Sequence, residues 1–176
     1  MSEKTNHHDY HRDDNRQNPV QVEMDGPIWL KLRMEVPAGP PEDLLRWFTD
    51  PARLAQWMGD AHEVDLVPGG RYAIRWESAR AWMEGTVIVV RPTEFVFSWA
   101  FLHEPEKPAR VVMVRAACSS RGSTCSITII HGPYRDDLSF APAARTEAQD
   151  RADHREGWST FLPILHARLR DQAPPA

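Results

Sequence analysis

Three side chains have the type and setting for acid–base or hydrogen-bond chemistry. His131 ends the strand-like run GSTCSITIIHG, in phase with its inward apolar residues. An imidazole there can orient a ligand or exchange a proton near neutral pH. It can equally be a structural histidine with both nitrogens satisfied. His154 lies one helical turn before Trp158 on the same face. That position suits a hydrogen bond anchoring a helix better than catalysis. Glu84 shares an alternating stretch with Trp82 and Thr86. Facing an apolar wall, its carboxyl would be pushed up by desolvation and could act as a general acid. None of the three is assigned as catalytic. No nucleophile elbow, phosphate loop or Cys-His-Asp set occurs, and whether the chain is an enzyme is left open, with binding the stronger expectation. His131 and His154 lack metal-ligand spacing, so no metal or cofactor is expected.

A larger group of residues has the makings of a ligand wall. Trp57, Tyr72, Trp76, Phe97, Trp99, Trp158 and Phe161, joined by His131, Leu162 and Leu165, are the candidate ligand-binding residues. Seven tryptophans are many for 176 residues. Apolar walls with few polar groups suit a sterol, acyl, polyketide or aromatic molecule. The alternative is that these aromatics fill a solid core.

The elements that must position them follow from periodicity. In His154–Leu169, residues Trp158, Phe161, Leu162, Leu165 and Leu169 recur on one face of a helix. Thr146 with Gln149 forms a capping box that starts this helix. Its charged first half is expected to project past the sheet. Pro163 is expected to kink or interrupt it. Pro27–Val36 alternates as a half-buried strand. PPEDLLRWF then reads as a short helix with acids in its first turn. Asp50-Pro51 starts a second, with Asp50 as N-cap. Val67-Pro68-Gly69-Gly70 fits a type II turn. A two-residue loop at Pro92-Thr93 would set Ile88 opposite Phe97 and Thr86 opposite Trp99, placing Trp82, Glu84 and Thr86 on the aromatic face. A loop at Arg121-Gly122 sets Cys118 opposite Cys125, Ala116 opposite Ile127, Val114 opposite Ile129 and Val112 opposite His131. The two cysteines are then neighbours, able to form a disulfide but expected to be buried thiols.

Composition narrows the class. The net charge is −4 and no basic face appears, so nucleic acid is not an expected partner, and no membrane partner is expected either. No apolar run reaches the roughly 20 residues of a membrane span. The first residues lack the apolar core of a signal peptide, and two cysteines fit a reducing cytoplasm. Residues 1–25 read as a disordered polar tail, in which His7, His8 and His11 are expected to be solvated rather than metal-bound. Residues 26–172 read as one α+β domain, monomeric or homodimeric.

The order of strand, two short helices, about six antiparallel strands and one long C-terminal helix resembles the helix-grip fold of the SRPBCC/START-like superfamily. That superfamily includes lipid-transfer domains, birch-pollen-allergen-like proteins and polyketide cyclases. FTDPARLAQWM, DLVPGGRYAI, EGTVIVVRPTEFVFSW, GSTCSITIIHG and HREGW, in that order between Ile28 and Leu169, resemble one branch of it. This branch comprises proteins homologous to the C-terminal domain of the activator of the heat-shock-protein-ninety ATPase, many of them stand-alone bacterial proteins. The resemblance implies a curved sheet of six to seven strands wrapped around the last helix, with a cavity between them. It implies a small apolar ligand as partner. It also raises contact with a stress-response chaperone, or a cyclase or dehydratase reaction in the same pocket, as alternatives.

Overall fold

The computed structural model describes residues 18–119, 124–135 and 142–172, the side chains of 142–146 excepted. The elements in chain order are β1 (Val20–Asp25), β2 (Leu30–Pro37), α1 (Pro41–Thr49), α2 (Pro51–Leu54), β3 (Ala61–Val64), β4 (Arg71–Trp76), β5 (Ala81–Arg91), β6 (Glu94–Phe101), β7 (Arg110–Cys118), β8 (Thr124–Gly132) and α3 (Pro142–Gln172). The strands form one eight-stranded sheet in the order β1-β2-β8-β7-β6-β5-β4-β3, antiparallel at every pairing. Helix α3 lies on one face, and α1 and α2 extend that layer.

Alternation sets which face is covered. In β2, Leu30, Leu32, Met34 and Val36 are buried while the residues between them look outward. Their β8 partners Ile127 and Ile129 continue the same apolar layer. The β7–β8 register matches the expected one at Cys118–Cys125, Ala116–Ile127, Val114–Ile129 and Val112–His131. The turn at Arg121-Gly122 lies outside the described residues. The cysteines are joined in a disulfide, where buried thiols were expected. Strand pairing places their Cα atoms 3.9 Å apart.

The β5–β6 register departs from expectation. Pro92-Thr93 is the loop, with Arg91 opposite Glu94 and Val89 opposite Val96. A bulge between Val87 and Val89 then inserts one residue, so Val87 rather than Ile88 meets Phe97. One extra residue reverses every side chain beyond it. Met83 and Val87 therefore face the core, while Trp82 is exposed. Glu84 is on the outer face, in an ion pair with Arg71, and cannot be a buried acid. Beside the bulge, a Cβ on Gly85 would lie 1.7 Å from the Ser98 carbonyl oxygen, so only glycine allows this approach. Ser98 Oγ accepts from the Thr86 backbone N–H at 2.8 Å.

The sheet also begins earlier than expected. Val20–Asp25 pairs with β2, although it falls in the stretch read as disordered. Glu23 bridges to Lys31 at 2.8 Å, and Asp25 is held by Arg151 and Arg155 of α3 at 2.7 and 2.6 Å. His7, His8 and His11 lie outside the described residues.

The helices are sealed as their sequences suggest. Asp50 Oδ1 accepts from the Ala52 N–H at 2.9 Å, the N-cap of α2. The turn after β3 has Gly69 at φ +88°, closed by Gly70 N–H to Val67 O at 2.8 Å. Helix α3 runs without interruption through Pro163. Its start precedes Thr146, whose side chain is outside the described set. Trp158, Leu162, Leu165 and Leu169 are buried. The first half of α3 does not project into solvent: Asp150 and His154 are only 4% and 8% exposed.

Candidate functional site

A cavity of about 350 Å³ opens between α3 and the β4–β6 part of the sheet. Its apolar wall is built from residues of β4, β5 and β6 and one face of α3. β4 contributes Trp76, β6 contributes Trp99 and Phe101, α3 contributes Trp158 and Phe161, and Met58 after α2 closes one side. The rings form a continuous set. Trp76 lies 6.2 Å from Trp99 and 6.1 Å from Phe161, and Trp99 lies 5.5 Å from Trp158, centroid to centroid. Gly157 also lines the space, and a Cβ there would meet nothing within 4 Å.

The other end of the cavity is polar. His103, Glu104 and Lys107 come from the β6–β7 loop, and Asp150, Asp153 and His154 from α3. On α3 the spacing 150, 153, 154, 157, 158 and 161 is a single helix face. The cavity wall thus continues the apolar stripe toward the N-terminus in charged residues.

Buried charge holds that end together. Arg110 Nη2 sits 2.9 Å from Asp150 and 2.6 Å from Glu147, and Nη1 donates to Pro133 O at 2.8 Å. Its guanidinium lies 5.0 Å from the Tyr134 ring centroid. Lys107 Nζ bridges Glu104 at 2.7 Å and Asp150 at 3.0 Å. Burial pushes the Asp150 carboxyl up, but His154, which carries a proton only in acid, and the hydrogen bonds from Lys107 and Arg110 overcome that and hold it below the usual carboxylate range. Burial pulls the Lys107 ammonium down, and its two carboxylates more than reverse the effect.

Two imidazoles lie 4.2 Å apart, centroid to centroid. Burial pulls His154 down to about 4, with Asp150 only partly opposing. His131 is fully buried and held well below the usual histidine range by burial, then by the charges of His154 and Arg110. Both rings are therefore neutral at pH 7. His154 Nδ1 is 3.0 Å from Tyr134 Oη, and Trp158 Nε1 donates to His131 Nδ1 at 3.1 Å. Burial raises the Tyr134 phenol above its ordinary value, so it keeps its proton.

The candidate residues divide between wall and support. Trp76, Trp99, Trp158 and Phe161 line the cavity. Trp57, Tyr72, Phe97, His131, Leu162 and Leu165 are packed in the core behind it. Two of these use their polar atoms to fasten the short helices: Trp57 Nε1 donates to Trp47 O at 2.9 Å, and Tyr72 Oη donates to Phe48 O at 2.8 Å. Phe97 lies between Tyr72 at 4.3 Å and Trp99 at 6.2 Å, its ring tilted to both. Met58, Phe101 and the polar end other than His154 were not among the candidates. The helical period extended back from Trp158 would have found Asp150 and Asp153. Nothing local marks His103, Glu104 and Lys107, which reach the cavity only through the path of their loop. Among the described residues, no group of three or more His, Cys, Asp or Glu is placed to hold a metal ion, and no helix is long and apolar enough to cross a membrane.

A curved antiparallel sheet gripping one long C-terminal helix, with two short helices after an early strand, defines a helix-grip protein. Residues 38–170 match the model of the family described as activator of Hsp90 ATPase homolog 1-like protein, and the chain belongs to that family. Solved structures share the fold at low identity. Protein MLL2253 from Mesorhizobium loti is 20% identical, with TM-score 0.63 over 82% of this chain and 99% of that one. Protein Ms6760 from Mycobacterium smegmatis is 20% identical, with TM-score 0.63 over 90% and 100%. An HSP90 activator from Plasmodium falciparum is 22% identical, with TM-score 0.57 over 81% and 96%. A search of curated protein sequences gives no match.

Proposed function

We propose that the protein binds a small, largely apolar molecule in the cavity between the sheet and α3. The observation that carries this reading is the aromatic-lined space of about 350 Å³, kept open on the helix side by Gly157. Volumes of this size suit a ligand of two or three fused rings or a short acyl chain. Trp76, Trp99, Trp158 and Phe161 supply the contact surface. Trp57, Tyr72, Phe97, His131, Leu162 and Leu165 hold those rings in place from behind. No reaction is assigned: His131 is not part of the cavity wall and Glu84 is on the opposite face of the sheet.

The test uses a hydrophobic fluorescent dye with wild type and Gly157→Leu. The leucine enters open space on a helix, so it fills the cavity without a backbone clash. Wild type is expected to bind the dye, and the variant to lose binding by about tenfold or more with an unchanged or higher melting temperature. Absence of dye binding by wild type, or equal binding by both, removes the proposal.

The family match supports a second reading, contact with an Hsp90-type chaperone. Its measure is chaperone ATP turnover at saturating protein. Unchanged turnover removes it.

A further inference from the structure

Charge around the proposed cavity selects among ligands, and this inference rests on the cavity reading. The rings that keep surface open are Trp76, Phe101 and Phe161, each only partly buried. Trp76 is centred 6.2 Å from Phe101 and 6.1 Å from Phe161. Ring faces of this kind attract a cation, and neither Trp nor Phe offers a hydrogen-bond acceptor. Helix α3 joins this wall to a carboxylate. Asp153, Gly157 and Phe161 follow one another at i, i+4 and i+8, and all three line the cavity. Helical rise sets Asp153 and Phe161 about 12 Å apart along the axis. Between them is Gly157, where a Cβ would meet nothing within 4 Å. Asp153 is exposed rather than sealed behind the wall. A molecule lying over Gly157 therefore reaches both the aromatic surface and the carboxylate.

Charge balance gives that carboxylate its importance. Glu104, Asp150 and Asp153 line the cavity with a single ammonium, Lys107, which bridges the first two. Arg110 is shared between Asp150 and Glu147, while Arg151 and Arg155 grip Asp25. Asp153 accepts from the Gln149 side-chain amide at 2.7 Å and has no cationic partner among the described residues. The neighbouring His154 is neutral at pH 7 and supplies no compensating charge. This end of the cavity thus carries an excess of negative charge. An anionic ligand is repelled there, and an uncharged one gains nothing from the excess. A primary ammonium brings three N–H donors to a wall without acceptors. A quaternary ammonium has no donor to satisfy and is attracted by ring faces and carboxylate together. We infer that the cavity takes a quaternary ammonium carried on a flat apolar body, the body against Trp76 and Phe161 and the cationic centre beside Asp153.

Four naphthalenes test this on the full chain by calorimetry at pH 7 and low ionic strength. They are naphthylmethyl-trimethylammonium, its uncharged isostere neopentylnaphthalene, naphthylmethylamine and naphthylacetate. The quaternary cation is expected to bind about tenfold more tightly than the isostere or the acid, and more tightly than the primary amine. Added salt should weaken the cation and leave the isostere unaffected or tighter. Asp153→Asn removes charge from an exposed side chain, so the melting temperature should hold while the cation-to-isostere ratio falls about threefold or more. Equal or tighter binding of the isostere overturns the inference and leaves the cavity reading standing. Tightest binding of the acid or the primary amine also overturns it, as does a ratio that Asp153→Asn leaves unchanged. Failure of all four to bind removes both.

Discussion

Helix α3 meets two halves of the same sheet in different ways. Over β2, β8 and β7 it packs solidly, with Leu162, Leu165 and Leu169 in the same buried core as Leu30, Leu32, Ile127 and Ile129. Over β4, β5 and β6 it stands off, and tryptophans and phenylalanines frame a space. Aliphatic side chains interdigitate and close a layer to crystal-like density. Flat rings fixed at angles to one another span distance without filling it. The indole N–H groups of Trp76 and Trp99 in that half, like Nε2 of His131 on β8, have no hydrogen-bond partner among the described residues. One half of the interface is built for stability and the other leaves room.

The sharpest challenge to that division is Arg110→Met. Arg110 starts β7 but backs the polar end of the cavity, paired with Asp150 and Glu147. Removing it leaves Asp150 with Lys107 alone and Glu147 with only the Arg135 backbone N–H, and the expected loss is about 3–5 kcal/mol in urea unfolding. A loss below about 1 kcal/mol would show that these charges are hydrated and that the polar end is ordinary surface. Next comes Leu165→Ala in the packed half, expected to cost about 2–5 kcal/mol. Phe161→Ala, on the cavity wall and only partly buried, should cost clearly less. Equal costs would erase the distinction between the two halves.

Acid tests the histidines. An unfolded imidazole titrates near 6.5, whereas folded His154 is held to about 4. Between those values the unfolded state binds more protons, so stability is complete above about pH 6.5 and falls as pH drops toward 4. The expected loss from His154 is about 3 kcal/mol. His131 adds to it in the same direction. His154→Phe should flatten the profile, and an equally steep profile in that variant would assign the acid sensitivity elsewhere. The smallest effect is Gly157→Ala, expected to stabilise by up to about 1 kcal/mol because the added methyl meets no neighbour and favours the helix. Destabilisation would mean that the glycine serves the backbone rather than the cavity.

Sequence patterns carried the fold well where local and pairwise signals agreed. The β7–β8 hairpin is the clearest case: any slip would have turned Val112, Val114 and Ala116 outward. The β5–β6 hairpin failed for one physical reason. The bulge near Ile88 is stabilised by a glycine, Gly85, and a serine, Ser98, that approach across the pair, and neither residue announces a bulge alone. Strand β1 was hidden because Gln21, Glu23 and Asp25 alternate with its apolar residues at a charged edge. The aromatic half of the site was legible because large rings in alternation must face inward somewhere. The polar half was not. TEAQDRADHREGW reads as a solvated helix, and only Lys107 and Arg110, forty or more residues away in sequence from Asp150, make its burial tolerable.

Asp25 carries a mechanical implication. Arg151 and Arg155 sit one helical turn apart and grip the same carboxylate at the end of β1. Edge strand and helix are thereby pinned like two arms of one lever. Tension applied upstream of Val20 would be borne by the helix that forms the cavity roof as well as by the sheet.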